Sequence, residues 1–395
     1  MSAVPEQVMK DLEGKKFKIV IGIPSYNNAD TIGYVAEVAA KGVDEYFDGA
    51  GIVVNSDGGS KDGTKESFMT ADTRSIEKLS FEYIGVPGKG SAMKSIFEIA
   101  DVVDAQVIVF LDSDLRSVKP WWVERLAKPI VDGDVDYVAP YYIRHKYDAT
   151  ITNHICYPLT SSLYGLKIRQ PIGGDFGVGR KVYKIYLEKP EEIWKSNVAK
   201  FGIDIWMTTT AVNESGRVGQ AALGAKVHDV KDPGKHLGPM FLQVVSTLFN
   251  LMEEYEKVWM KVDSMETAPI YGEMPKVELE EIKVDLENLK SKASKGAYDG
   301  RIETEFLSSS IVEYVIKNGE LDMERWIETV FSFALAYKKA KSDSIVEAMI
   351  PYYFARIANF VENTKNLSTE EAEKVVEEQV QAFFDSKNLL IKMWG

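Results

Sequence analysis

The chain has almost no cysteine: Cys156 is the only one in 395 residues. No intramolecular disulfide can form, and a thiolate metal centre is disfavoured with it. Cys156 is expected to be a small core residue. Histidine is nearly as scarce, four in all, two of them (His228 and His236) in one segment. Positive charge is in deficit, with 47 Lys and Arg against 60 Asp and Glu and a net charge of −13. A general nucleic-acid or anionic-membrane binder needs a basic surface, so both classes are excluded. A small anionic substrate in a local basic pocket is not. The chain also lacks any run of about 18 uncharged apolar residues, the length of a membrane span. Residues 1–17 lack the continuous apolar stretch of a signal peptide. These absences predict a cytoplasmic enzyme with no membrane and no nucleic-acid partner.

What the chain does have is 45% hydrophobic and 27% charged residues, ordinary for a globular protein, and enough length for two domains. Short apolar runs at 17–23, 51–55, 81–86, 107–112 and 135–140 read as strands. Helical spacing fills the gaps: Ile32, Val35, Val38, Ala39 and Val43 share one face behind an Asp30 cap. Met93, Ile96, Phe97 and Ala100 share another behind Ser91. Strands alternating with helices imply a mainly parallel α/β sheet covered on both sides. Ligands in such sheets bind at the carboxyl ends of the strands. From about residue 240 the strand pattern gives way to helices, including 265–292. Residues 291–300 read as a loop, and Ser368 with Glu371 form a capping box. The expected division is 1–238, a catalytic domain, and 239–395, an all-α domain. Phe383, Phe384, Leu389 and Met393 are the apolar residues from which a homodimer contact is expected.

The segment 107–115, VIVFLDSDL, carries the strongest chemical signal. A buried strand would place Asp112 and Asp114 on one face at its exit, since side chains two apart point the same way. Two adjacent carboxylates repel unless a cation lies between them, and hard ions such as Mg²⁺ or Mn²⁺ take oxygen ligands and leave positions for phosphate. A strand followed by an acidic turn gives the same letters. The other strand ends are polar too. The first runs into IPSYNNADT, where Pro24 is expected to end the pairing. The second runs into NSDGGSKDGT with Asp57, and the third into VPGKGSAMK with Lys89 ahead of a helix start. The spacing of a P-loop is absent. Further on come QPIGGDFG, with a Gly-Gly pair beside Asp175, then FGID with Asp204, then the Lys-x-His of KVH. Each alone is also consistent with a turn or a surface charge.

As an ordered set these motifs resemble the nucleotide-sugar-dependent glycosyltransferases of GT-A fold, of the family 2-like group. IPSYNN is similar to that group's first-strand loop, SDGGSKDGT to its second, and DSD to its metal motif. The nearer resemblance is to the retaining glucosyl-3-phosphoglycerate and mannosylglycerate synthases, whose PGKG-x-A-M, DSDL, Q-P-I-G-G-D, G-I-D and K-x-H follow in the same order here. The likeness covers about residues 18–255. It implies a GT-A domain followed by an all-α C-terminal region, and a hexose transferred from a UDP- or GDP-hexose to glycerate or 3-phosphoglycerate, with Mg²⁺ or Mn²⁺. It implies, too, that Pro24, Tyr26, Asn28, Asp57, Lys89, Asp112, Ser113, Gln170, Gly173 and Gly174 bind the nucleotide sugar. By the same likeness Asp114 and His228 hold the metal, Asp112 near them, with Asp204 and Asp175 in catalytic roles. The chain departs from the pattern where Asn28 replaces an acidic residue. It departs again where DATIT, 148–152, replaces the arginine-bearing acceptor segment; Arg144, Lys146, Thr150 and Thr152 are the acceptor candidates in its place. An inverting family 2-like enzyme acting on a lipid or polysaccharide is the competing enzyme reading, and a nucleotide-binding regulator without turnover the competing non-enzyme one.

Overall fold

The structure, a computed structural model, describes residues 2–227 and 233–395, with side chains from 238 onward in the second stretch. Two compact units divide the chain, and neither is continuous. The first comprises Met1–Ile143, Ile168–Lys231 and Ala268–Glu278; the second comprises Arg144–Lys167, Asp232–Thr267 and Leu279–Gly395. A single cut at 238 does not reproduce this division. Tyr157 is buried in a cluster with Phe360, Ala372, Val376 and Val380, which draws 144–167 into the helical unit. The chain later returns to the sheet at 268–278 to add its edge strand.

Ten strands are present among the described residues: β1 Ile19–Ser25, β2 Gly51–Asp57, β3 Glu77–Glu82, β4 Val107–Phe110, β5 Tyr137–Ile143, β6 Leu166–Lys167, β7 Phe176–Gly179, β8 Val218–Ala225, β9 Glu266–Thr267 and β10 Ile270–Tyr271. β6 and β9 form a two-strand pair in the second unit. The other eight make the sheet of the first unit, in the order β10-β8-β5-β7-β4-β1-β2-β3. All pairings in it are parallel except those of β7, antiparallel to β4 and to β5. The expectation of a mainly parallel α/β sheet followed by a helical region is met. β1, β2 and β4 carry buried apolar runs because helices cover both faces; Ile21, Val53 and Val109 are wholly buried. Each such side chain contributes roughly 1.5–3 kcal/mol on burial.

Four local expectations are corrected. The third strand is Glu77–Glu82, not 81–86. It is the outermost strand beyond β2 and mostly half-buried, so it carries no apolar run to read. Pro24 does not end the pairing: it lies opposite Ser56, and β1 runs on to Ser25. The helix after the third strand is Lys89–Val102, so Lys89 is its first residue and not part of a loop ahead of Ser91. The helix after β1, Ile32–Phe47, starts after Thr31 without a side-chain cap from Asp30.

Of the expected helix 265–292, residues 265–285 are not helical, while 286–299, which includes most of the expected loop 291–300, are. Pro269 and Pro275 lack the N–H that a helix interior needs, and the helix begins at Leu286, where the Asp285 carboxylate accepts from the Asn288 N–H. It runs to Asp299, through Gly296. A Cβ at Gly296 would lie 2.6 Å from Pro351 Cγ of the helix Asp343–Thr364. The glycine that suggests a loop is there for close helix–helix approach. The capping box at Ser368 and Glu371 is present in both directions. Phe383 is fully buried, not an exposed remnant, whereas Leu389 and Met393 are exposed. Cys156 is a buried core residue, as expected. Among the described residues no helix is long and apolar enough to cross a membrane.

Candidate active site

Parallel strands deliver their following loops to one edge of the sheet, and here those loops are laced together. Asn28, after β1, accepts from the Ser113 hydroxyl at 2.8 Å, and Thr31 donates to the Ser113 carbonyl at 2.8 Å. The Asn27 N–H meets Ser60 Oγ at 2.8 Å, joining the loops after β1 and β2. Asp57 accepts four hydrogen bonds, from Ser25 Oγ, the N–H groups of Gly59 and Ser60, and Ser60 Oγ. Its carboxylate thus shapes its own turn. Pro24 is within β1, and the Tyr26 ring stands 64% exposed beside this edge.

β4 ends at Phe110, so Asp112 and Asp114 lie in the turn beyond it and not in a strand. The alternation that would set them side by side stops short of them. Asp112 is instead gripped from both sides by ammonium groups. Lys226 Nζ is 2.6 Å from its Oδ2 and Lys89 Nζ 3.0 Å from its Oδ1. Lys89 also reaches Asp204 Oδ2 at 3.2 Å, and Lys226 reaches Asp175 Oδ2 at 2.8 Å and the Gly173 carbonyl at 2.8 Å. The result is a ladder of alternating charge, Asp204–Lys89–Asp112–Lys226–Asp175, with three carboxylates to two ammonium ions.

The antiparallel strand closes this ladder. Because β7 runs against its neighbours, its beginning, not its end, lies at the edge where β4, β5 and β8 finish. That brings Asp175, the residue before β7, beneath Asp112. Asp175 is 0% exposed; its Oδ1 accepts the Asp112 N–H at 2.8 Å, and its Oδ2 accepts from Tyr142 Oη of β5 as well as from Lys226. Gly174 has φ +90°, and a Cβ there would fall 2.2 Å from Asp112 Oδ2. Gln170 holds the same loop, accepting the Tyr142 N–H at 2.7 Å and donating to its carbonyl at 3.0 Å. Gln170 therefore anchors the Gly173–Gly174 turn.

Asp204 is in the first turn of the helix Ile203–Glu214, where a carboxylate is favoured by the helix dipole. Its Oδ2 is held by Lys89, while its Oδ1 is buried with no hydrogen-bond partner among the described residues. A buried carboxylate oxygen left unbonded is costly and marks a position where a ligand group belongs. Burial raises the Asp204 carboxyl above its ordinary range against the pull of Lys89, and does the same to Asp175 against Lys226. Burial works against both ammonium groups, but the carboxylates outweigh it: Asp112 and Asp204 hold Lys89 well above the ordinary lysine value, and Asp112 and Asp175 hold Lys226 above it. Both lysines are cations throughout the neutral range.

The oxygen donors at the β4 exit, Asp112, Ser113 and Asp114, are the chemistry a hard divalent cation takes. Among the described residues no three His, Cys, Asp or Glu side chains gather into a cage for one. Such a set fits a Mg²⁺-type ion, which completes its shell with substrate oxygens and water. His228 lies outside the described residues. The acceptor candidates belong to the second unit. Arg144 pairs with Asp148 at 2.8 Å; Lys146 donates to the carbonyls of Thr364 at 2.9 Å and Leu367 at 2.6 Å. Thr150 shares a hydrogen bond with Tyr353 at 2.5 Å, and Thr152 is buried in a short π-helical turn. Lys226 and Tyr142 are the functional-site residues that sequence reasoning passed over. Lys226 was legible as the lysine of K-x-H. Tyr142, one of three tyrosines in its strand, carried no signal.

Comparison with known proteins places this geometry. Residues 46–249 match the family model described as mannosylglycerate synthase, GT domain. The chain is 27% identical over 268 residues to a glucosyl-3-phosphoglycerate synthase of Mycolicibacterium paratuberculosis, covering 62% of this chain and 76% of that one. It is 25% identical over 268 residues to the enzyme of the same name from Mycobacterium tuberculosis, covering 62% and 78%. A crystal structure of glucosyl-3-phosphoglycerate synthase from Mycobacterium tuberculosis in complex with Mg²⁺ and uridine diphosphate resembles it with a TM-score of 0.48 at 24% identity, over 63% of this chain and 84% of that one. The matched family region spans more than half of the sequence and contains every rung of the charge ladder; the chain belongs to the mannosylglycerate synthase glycosyltransferase family.

Proposed function

We propose that this protein transfers a hexose, glucose or mannose, from a UDP- or GDP-hexose to glycerate or 3-phosphoglycerate with retention of configuration, as a step in making a charged compatible solute. The observation that carries the reading is the ladder Asp204–Lys89–Asp112–Lys226–Asp175 at the carboxyl edge of the sheet, with one buried oxygen of Asp204 unbonded among the described residues. Two cations fixed among carboxylates suit a diphosphate, and the unbonded oxygen suits a hydroxyl. Relatives named glucosyl-3-phosphoglycerate synthase support the acceptor class.

Each residue has a proposed part. Lys89 and Lys226 donate to diphosphate oxygens. Tyr26, exposed at the edge, lies against the base, with Pro24, Asn28 and Asp57 fixing the loops around it and Ser113 tying them to the β4 exit. Gln170, Gly173 and Gly174 shape the sugar side. Asp114, with Asp112 and His228 as further donors, would hold Mg²⁺ or Mn²⁺, which when bound supplies positive charge to the departing diphosphate. Asp204 Oδ1 accepts the hydrogen bond of the acceptor hydroxyl and aims it at the anomeric carbon, catalysis by positioning. Asp175, its oxygens engaged by Asp112, Tyr142 and Lys226, holds the ladder and does not attack. Arg144, Lys146, Thr150 and Thr152 are the proposed acceptor residues. Arg144 is the strongest of them, because its Asp148 partner is a carboxylate that an anionic acceptor replaces like for like. A cytoplasmic homodimer is the proposed setting.

The test is nucleoside diphosphate release from UDP- and GDP-hexoses with Mn²⁺ and either acceptor, followed by NMR of the product's anomeric configuration. Release that depends on one of the two acceptors, with retention, is the expected result. Inversion, or turnover only with a lipid or polysaccharide acceptor, favours the competing transferase. Asp114→Ala is expected to lose nearly all of the activity; full turnover in that variant removes the metal role from Asp114.

A further inference from the structure

Asp112 is capped on both oxygens by ammonium groups. Lys226 is held at 2.6 Å on Oδ2 and Lys89 at 3.0 Å on Oδ1. Lys226 is not merely near: its side chain is 5% exposed and its three donor hydrogens have three acceptors, Asp112, Asp175 and the Gly173 carbonyl. The face of Tyr142 lies 5.5 Å from the same nitrogen, and the Tyr142 hydroxyl fixes Asp175, so the cation is gripped on every side the structure offers. We propose that Lys226 is a resident counter-cation of Asp112 which ties divalent-metal binding to diphosphate binding, holding the place of positive charge at the strand end until a diphosphate draws it off. This rests on the reading of the edge as a nucleotide-sugar site.

The argument is electrostatic. A divalent ion approaching the 112–114 turn alone meets an ammonium group already on Asp112, and like charges at contact distance in a partly dry site repel strongly. A diphosphate alone meets three carboxylates against two ammonium ions that those carboxylates already hold. When both arrive, each relieves the other's penalty: the ammonium turns to phosphate oxygens, charge-assisted partners of the same kind, and Asp112 is released to the metal side. Lys226 can make that turn because it immediately follows Ala225, the last residue of β8, so no ladder hydrogen bond is lost when its flexible stem moves. Lys89, the first residue of its helix, lies farther from Asp112, at 3.0 Å against 2.6 Å, and plays the lesser part. Gly174 completes the device, since any side chain there would occupy the space where Asp112 and Lys226 meet. Coupling of this sort is reciprocal: what the diphosphate does to metal affinity, the metal does to diphosphate affinity.

Mn²⁺ binding to the full-length protein, measured by the EPR signal of free Mn²⁺ with and without UDP, tests this. In wild type, Mn²⁺ without UDP is expected to bind weakly. Lys226→Met removes the competing cation, so Mn²⁺ without UDP should bind on the order of tenfold more tightly, and the tightening produced by UDP should shrink by a similar factor. Lys226→Arg, which keeps the charge, should stay near wild type. Lys89→Met takes the second ammonium from Asp112 and is expected to move metal affinity in the same direction; it decides the matter if Lys226→Met does not fold. Unchanged or weaker metal-only affinity in the folded lysine-to-methionine variants overturns the inference, while intact UDP–Mn²⁺ binding in wild type leaves the site itself standing. Failure of wild type to bind UDP with Mn²⁺ at all instead overturns the reading of the site.

Discussion

Asp204 combines two features that usually oppose each other: burial and an unbonded carboxylate oxygen. Its folded pKa is raised, so between the ordinary value of 3.8 and the folded value the unfolded chain gives up its proton while the folded one keeps it. The unfolded state then binds fewer protons, and the group's contribution to stability falls as pH rises through that window. Asp204→Asn removes this penalty. It should melt higher than wild type, with the gap widening above pH 4, while kcat drops by on the order of 100-fold or more. Thermal melts across pH 4–8 with steady-state kinetics check both halves; a variant that is less stable and fully active refutes the assignment. Gly174→Ala is the complementary case. Positive φ and a 2.2 Å clash with Asp112 Oδ2 act together, so stability and nucleotide binding should fall in parallel, by about 1–3 kcal/mol in urea unfolding. The DSD and Gly-Gly motifs stood out in the sequence because short polar residues interrupt apolar runs. Lys226 and Tyr142 did not, since a lysine after a strand and a tyrosine within one are ordinary until their partners are known.

At the scale of elements, hydrophobic periodicity identified β1, β2 and β4 and the long helices of the second unit, and it failed where burial is shared unevenly. β3 is an edge strand with half-buried faces, so its pattern is blurred. β7 and β8, FGVG and VGQAALGA, are buried but built of small residues with weak strand preference. The sheet's hydrogen bonding, not local propensity, makes them strands. In the helical unit, Gly296 inverted the reading of its segment because a helix can use glycine for contact. Gly296→Val would thrust a branched side chain into Pro351, whose Cγ lies 2.6 Å from the modest Cβ position. Destabilisation of about 2–3 kcal/mol by chemical unfolding is expected, larger than the change in intrinsic helix propensity, which by itself favours the substitution or leaves it neutral. A stabilised variant would mean that the two helices do not meet there.

For the molecule as a whole, the net charge of −13 surrounds a site whose proposed substrates are themselves anions. Approach is therefore opposed at long range and favoured only close to Lys89 and Lys226. Added salt screens the long-range part first, with a Debye length of about 8 Å at physiological ionic strength. The value of kcat/KM for the anionic acceptor should accordingly rise, by about two- to threefold, between low and physiological salt. A steep fall would point to a basic approach surface that the overall composition conceals. The amino-acid sequence by itself determined the alternation of strand and helix, the carboxyl edge as the place for chemistry, the DSD turn and the family, because each is written in residues close together along the chain. Only the tertiary structure decided that one reversed strand delivers Asp175 under Asp112, that two lysines 137 positions apart in the chain share a single carboxylate, and that one oxygen of Asp204 has no donor among the described residues. Pairing across a sheet depends on strand order and direction, and charges far apart in sequence become neighbours only when that order is set.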